Sequence, residues 1–130
     1  MSAEGNIELV RRAYAAIAAG DMATVAATFA EDVAWHAAGS GVTSGSKQGR
    51  DATMAYLGGL MTRAEGTLAI DVVDIGGSAD YAYLLQHSHA ERVGKVIDHD
   101  VMQVFRISDG VVVEVWEFFP DTHMVDAFWA

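Results

Sequence analysis

The chain has 130 residues, 52% of them apolar, with one proline and no cysteine. That is the size and composition of one domain spanning 1–130 with a real core, and it excludes disorder, a disulfide framework and thiolate chemistry. The formal net charge is -10 and no Lys/Arg cluster offsets it, so repulsion disfavours both nucleic acid and an anionic membrane surface as partners.

The opening MSAEGNIELVRR has no apolar core of the signal-peptide kind, and no stretch reaches the length of a membrane span; the default expectation is a cytoplasmic protein. Ile7, Val10, Ala13, Tyr14 and Ile17 follow helical spacing and predict a helix over 6–19, with Asn6 as N-cap. Gly20 stops it. Asp21 caps a second helix in which Met22, Val25, Ala26 and Phe29 share a stripe. A short first strand follows at Val33 to His36, then a Gly- and Ser-rich loop over 38–49. A third helix is predicted from Asp51 to Arg63, with Ala52 or Tyr56 and Leu57, Leu60 and Met61 facing inward.

Beyond Gly66 the pattern turns to period two. Strands are predicted at 67–75, 80–91, 96–107 and 111–119, with Ser108-Asp109-Gly110 as a hairpin turn. Asp121 caps a last short helix whose stripe of Met124, Val125 and Phe128 needs an apolar surface, expected to be the mouth of a pocket. Helices followed by a long antiparallel meander read as α+β.

Several short runs stand in a specific order: Ala19-Gly20-Asp21, Phe29-Ala30-Glu31-Asp32-Val33-Ala34-Trp35-His36, Gly49-Arg50-Asp51-Ala52, Phe105-Arg106-Ile107-Ser108-Asp109-Gly110 and Glu114-Val115-Trp116-Glu117. In that order the chain resembles the SnoaL-like, or nuclear transport factor 2-like, superfamily over nearly its whole length. The resemblance implies a cone-shaped, curved antiparallel sheet wrapped around the N-terminal helices, an α+β barrel with an apolar interior pocket for a small molecule. It implies little about chemistry, because one fold hosts many reactions. Ketosteroid isomerases use a first-helix Tyr, an Asp base and a protonated Asp; aligned here, these fall on Ala13, Ala37 and Gln103. The Asp of SnoaL-type polyketide cyclases also falls on Gln103. Limonene epoxide hydrolase is similar around Trp116-Glu117-Phe118-Phe119-Pro120-Asp121, with Glu117 in place of its base-side Asp, but its other acid falls on Gly94 and its water-holding pair on Trp35 and Ala37.

Strand alternation sorts the candidates. Val113, Val115, Glu117 and Phe119 share one face of the last strand, which the resemblance places in the pocket. A carboxyl group on such an apolar face is suited to acid–base work, or else sits at the rim paired with Arg92 or another cation. On the preceding strand His99, Val101, Gln103 and Phe105 share a face; Gln103 either polarises a substrate carbonyl or satisfies a buried neighbour, and His99 belongs near the rim. His87 and His89 are i and i+2 on one face, as an acid–base partner for Glu117 or as a metal chelate. Glu91 follows too soon for a metal-binding pattern, so no metal is expected, and the face of that strand stays open because a bulge near Arg92–Lys95 would flip it. Parity turns Trp35 inward and His36 outward, and Tyr14 and Tyr56 come from helices that roof the cone.

No Gly-rich phosphate loop precedes a helix, so no nucleotide or other cofactor is expected. Two functions stand open: a cofactor-independent isomerase, cyclase or epoxide hydrolase with Glu117, a His and Gln103 as its working groups, or a binding protein that kept the cavity without the chemistry. Family resemblance also implies a homodimer. If Glu117 is inward, Trp116 and Phe118 point outward and form an apolar patch for a second copy to cover.

Overall fold

In the computed structural model, which describes residues 2–130, helix α1 (Ala3–Ala19) starts at Ser2, whose side chain accepts from the Gly5 N–H. It ends at Gly20, left-handed at φ 73°, a conformation that costs a Cβ-bearing residue more. Asn6 is therefore not the cap. It is fully buried, and its Nδ2 donates to the Ser78 and Ala79 carbonyls at 2.8 and 3.0 Å, pinning α1 to the turn between two later strands. Asp21 caps α2 (Met22–Thr28) as expected, through the Thr24 N–H. The chain leaves the helix one residue early, because Phe29 already begins strand β1 (Phe29–Ala37), where it packs edge-on against Trp35.

The predicted loop contains a strand, β2 (Gly45–Gln48), which pairs antiparallel with β1. Nothing in its composition favours a strand. It forms because β1 has a free edge that offers backbone partners. Helix α3 (Arg50–Arg63) follows, then β3 (Ala69–Gly77), β4 (Tyr81–Arg92), β5 (Lys95–Ser108), β6 (Val111–Phe118) and α4 (Thr122–Trp129).

The six strands form one sheet in the order β2-β1-β6-β5-β4-β3. It is α+β as expected, but mixed rather than antiparallel: β1 runs parallel to β6. A meander leaves β6 with an open edge, and β1 fills it from the far end of the sequence. Irregularities between Val72 and Asp74 on β3, and at Val113 on β6 opposite Arg106 and Ile107, accompany the curvature of an unclosed sheet. The β6 irregularity also changes parity, so Val112, Val115 and Glu117 are buried while Val113 is only half-buried. The concave face closes over Val10, Ala13, Tyr14, Phe29, Trp35, Leu84, Phe105 and Val112 as one core. A second core gathers Ala64, Ala90 and Ile97 under Val125, Phe128 and Trp129 of α4.

No helix among the described residues is long and apolar enough to cross a membrane.

Candidate functional site

Between the concave face and the helices lies a chamber of about 80 Å³. It shares Tyr14, Ile17, Met61, Leu68 and Ile70 with a wider cleft of about 420 Å³ between α1, the end of α3 and β3. Those shared residues form the boundary between chamber and cleft. The C-terminal helix packs against Ala64, Leu60 and Leu68, the last of which lines both chamber and cleft, and its Trp129 lines the chamber with Ala90, Ile97 and Phe119. That helix is held from outside its own sequence. Arg92 donates to the Phe128 and Ala130 carbonyls at 2.9 and 2.7 Å, and Lys95 to Ala127 at 2.9 Å, cations at the negative end of a helix dipole. Asp126 takes the Ser40 N–H and the Ser44 hydroxyl, and Gly41 packs so closely that a Cβ would lie 2.9 Å from its carboxylate.

Glu117 is the chemical centre of the chamber. It sits near the end of β6, directly opposite Gln103 of β5 and beside Ala37 of β1. Its side chain takes three hydrogen bonds: Tyr56 OH to Oε1 at 2.6 Å, Trp35 Nε1 to Oε1 at 3.1 Å, and Gln103 Nε2 to Oε2 at 3.0 Å. A carboxylate can be buried only when donors replace its water shell, and here α3, β1 and β5 each supply one. Trp35 reaches it by extending across its own aromatic cluster, 5.8 Å from Tyr56 and 6.5 Å from Phe105.

The two tyrosines stay protonated. Burial, then the negative charge and hydrogen bond of Glu117, push the Tyr56 hydroxyl well above its ordinary value. Burial and then the same charge raise Tyr14. Tyr56 spends its proton on Glu117. The Tyr14 hydroxyl makes no hydrogen bond among the described residues, and Tyr14 lines both chamber and cleft. Lys47 lies over the Tyr56 ring at 4.4 Å and donates to the Thr43 and Gly45 carbonyls. Partial burial lowers its pKa, against the opposing pull of Glu117.

A second polar group lies on β4 and β5. Gln86 Nε2 donates to Ser88 Oγ at 2.7 Å, and Ser88 stands opposite His99. His99 stacks on Phe119 at 6.0 Å. Burial, then the charge of His87, lowers its pKa, so its imidazole is neutral at neutral pH. Gln86 Oε1, Gln103 Oε1 and His99 Nδ1 are buried without a hydrogen-bond partner, an arrangement that costs about 1–3 kcal/mol per group.

Nine of the sequence candidates line this chamber: Glu117, Gln103, Tyr14, Trp35, Tyr56, His99, Val101, Phe105 and Phe119. Val115 does not; it is wholly buried against its neighbours in the core. Arg92 holds α4 and makes no pair with Glu117. His87 and His89 are corrected outright. They lie on the outer face, where His87 contacts Asp98 and Asp100, and His89 contacts Asp98 and Glu91. The reason is register. β4 and β5 join through a two-residue turn, Val93-Gly94, with no bulge, so Ser88 rather than His87 or His89 faces the side of His99. Alternation of Ala82, Leu84, Gln86, Ser88 and Ala90 carried that information, and reading Val93-Gly94 as a tight hairpin turn would have released it. His36 is outward, bonded to Ser46 and Glu114 at 2.7 Å each. Among the described residues no group of His, Asp and Glu is placed to hold a metal ion.

The sequence pattern of the SnoaL-like domain matches residues 10–115. The uncharacterized protein Rv0034 of Mycobacterium tuberculosis is 30% identical over 131 residues, covering all of both chains. Bal32a, from a soil-derived mobile gene cassette, superposes with a TM-score of 0.94 at 35% identity, covering 98% of each chain. Rv0760c of Mycobacterium tuberculosis, solved in complex with estradiol-17β-hemisuccinate, superposes with a TM-score of 0.77 at 17% identity over 95% of this chain and 98% of that one, a likeness of fold.

Proposed function

Starting from a chain that belongs to the SnoaL-like domain family, we propose that it is a cofactor-independent acid–base enzyme of the isomerase, cyclase or epoxide-hydrolase kind, acting on a small, largely apolar molecule. The observation that carries this reading is Glu117: a buried carboxyl group held by three donors inside a mostly apolar chamber. Its Oε1 is committed to two donors. Oε2 has one, which leaves a lone pair to take a proton from bound substrate. In an enolisation, Glu117 Oε2 accepts the proton from the carbon next to a carbonyl, while the Tyr14 hydroxyl hydrogen-bonds to the oxygen on which negative charge develops. Returning the proton to another carbon completes an isomerisation. That Rv0760c has been solved with a steroid ester supports a ligand of this size and character in a shared fold.

The rival reading is a binding protein. It draws on the same three donors, which compete with any substrate proton for Glu117. Deuterium exchange separates the two. In D₂O, 1-tetralone bound to the protein should lose its α-protons faster than in buffer, and Glu117→Gln should slow this by roughly 10²–10⁴-fold. Binding of 1-tetralone with no acceleration by the wild-type protein would establish the binding reading instead.

Homodimerisation through the outer sheet face belongs to the same proposal. Leu85, Met102 and Phe118 stand side by side across β4, β5 and β6, next to a row of Tyr83, Val104 and Trp116. Phe118 is 50% exposed, Met102 42% and Tyr83 41%, an apolar patch of the kind that a two-fold partner covers.

A further inference from the structure

The chamber is polar at two places, and only one of them is Glu117. We propose that Gln86, Ser88 and His99 form a second polar station that binds a hydroxyl group of the ligand, so that the protein selects donor-bearing, hydroxylated apolar molecules over their ethers and hydrocarbons. This rests on the reading of the chamber as a small-molecule site and names its substrate class.

The two stations differ in kind. Around Glu117 the donors already have their acceptor. On the β4–β5 side the acceptors lack a donor. Gln86 is 5% exposed and Gln103 2%, and in each the amide oxygen is unpaired although the amide nitrogen is used. His99 Nδ1 is buried and unpaired too, on a residue directly across the strand pair from Ser88. A native interior leaves few such groups without partners. A neutral imidazole, an amide oxygen and a serine hydroxyl together can accept from a ligand O–H and donate back to its oxygen. A ketone, ether or hydrocarbon has no proton to give them and leaves the amide oxygens unpaired.

The surroundings set the rest of the molecule. The adjoining cleft is lined by Ile17, Ala18, Met61, Leu68, Ile70 and Val72, with Tyr14 and Asp71 as its polar lining. A hydroxylated end therefore enters the chamber and an apolar body occupies the cleft. The chain's net charge of -10 and the Glu117 carboxylate disfavour an anionic end in the same place.

The test uses 2-naphthol and 2-methoxynaphthalene, one aromatic body with and without the donor, followed by quenching of tryptophan fluorescence. Wild-type protein should bind 2-naphthol about tenfold more tightly than the methyl ether, the worth of one hydrogen bond to a buried acceptor. Gln86→Leu should erase that preference by weakening naphthol alone. Glu117→Gln should leave it in place. Equal affinity of the two probes for the wild-type protein overturns the station. So does a preference that Glu117→Gln removes and Gln86→Leu keeps, which would put the hydroxyl on Glu117. Binding of neither probe overturns the small-molecule reading itself, and the station with it. Should Gln86→Leu fail to fold, the wild-type protein still decides the matter: the His99 imidazole ¹⁵N resonances should move on addition of 2-naphthol and stay still with the ether. No movement with bound naphthol overturns the proposal.

Discussion

Histidine shows most plainly how one residue type takes its character from its surroundings. His99 is half-buried, and desolvation, followed by the nearby His87 charge, depresses its pKa. His87 is held above the ordinary value by hydrogen bonds to Asp100 and then Asp98, and His89 by Glu91 and then Asp98. The signs of their contributions to stability are opposite. Below an unfolded value near 6.5, the folded chain refuses a proton at His99 that the unfolded chain takes, so His99 loses stability as pH falls through that value. His87 and His89 contribute fully below about 6.5 and lose their contribution as pH rises through their raised folded values. We predict that in an NMR titration from alkaline to acid pH the outer pair protonates first and His99 last. His99 protonating together with His87 would mean that its ring is solvated and not part of the chamber wall. At this scale the sequence placed Glu117, Gln103, Trp35 and Tyr56 in the pocket by parity and resemblance. It did not reveal that they bind one another, because Trp35 and Glu117 are 82 residues apart.

Among the elements, the β4–β5 hairpin decides more than its length implies. Its turn places Val93 at φ 48° and Gly94 at φ 75°, the left-handed pair of a two-residue hairpin. Glycine suits that position. Valine does not, since a β-branched side chain crowds the backbone there, and Val93 is 73% exposed, so it recovers little by burial. Asn tolerates the conformation far better. We predict that Val93→Asn stabilises the protein by about 0.5–1 kcal/mol in urea unfolding, with the register of β4 and β5 unchanged. A loss of stability would show that Val93 makes a contact that outweighs its strain. The same residue hid the face of β4 from the sequence, since Val-Gly carries none of the usual Asn-Gly signal. By contrast Asp109-Gly110, both left-handed at φ 51° and 77°, announced the β5–β6 turn directly. Strand β2 had no local signal at all, because pairing with β1 is the whole reason it is a strand.

For the whole molecule, the curved sheet has one face closed over the chamber and another that carries an apolar row between β4 and β6. If that row is a two-fold interface, Phe118→Lys should convert a dimer into a monomer in sedimentation velocity at micromolar concentration, because a desolvated lysine opposite its own copy repels. A wild-type protein that sediments as a monomer would exclude the interface. The sequence by itself determined the α+β class, the helical hairpin around Gly20-Asp21, the period-two strands and the capped last helix. Each of these is written in local spacing, caps and turns. Tertiary structure alone decided that β1 lies parallel to β6, that Gly45–Gln48 is a strand, and that Ser88 of β4 stands opposite His99 of β5. Those outcomes depend on which edge is free and on the register across a turn. Hydrogen-bond partners far apart in the chain set both, and periodicity within a single segment cannot encode them.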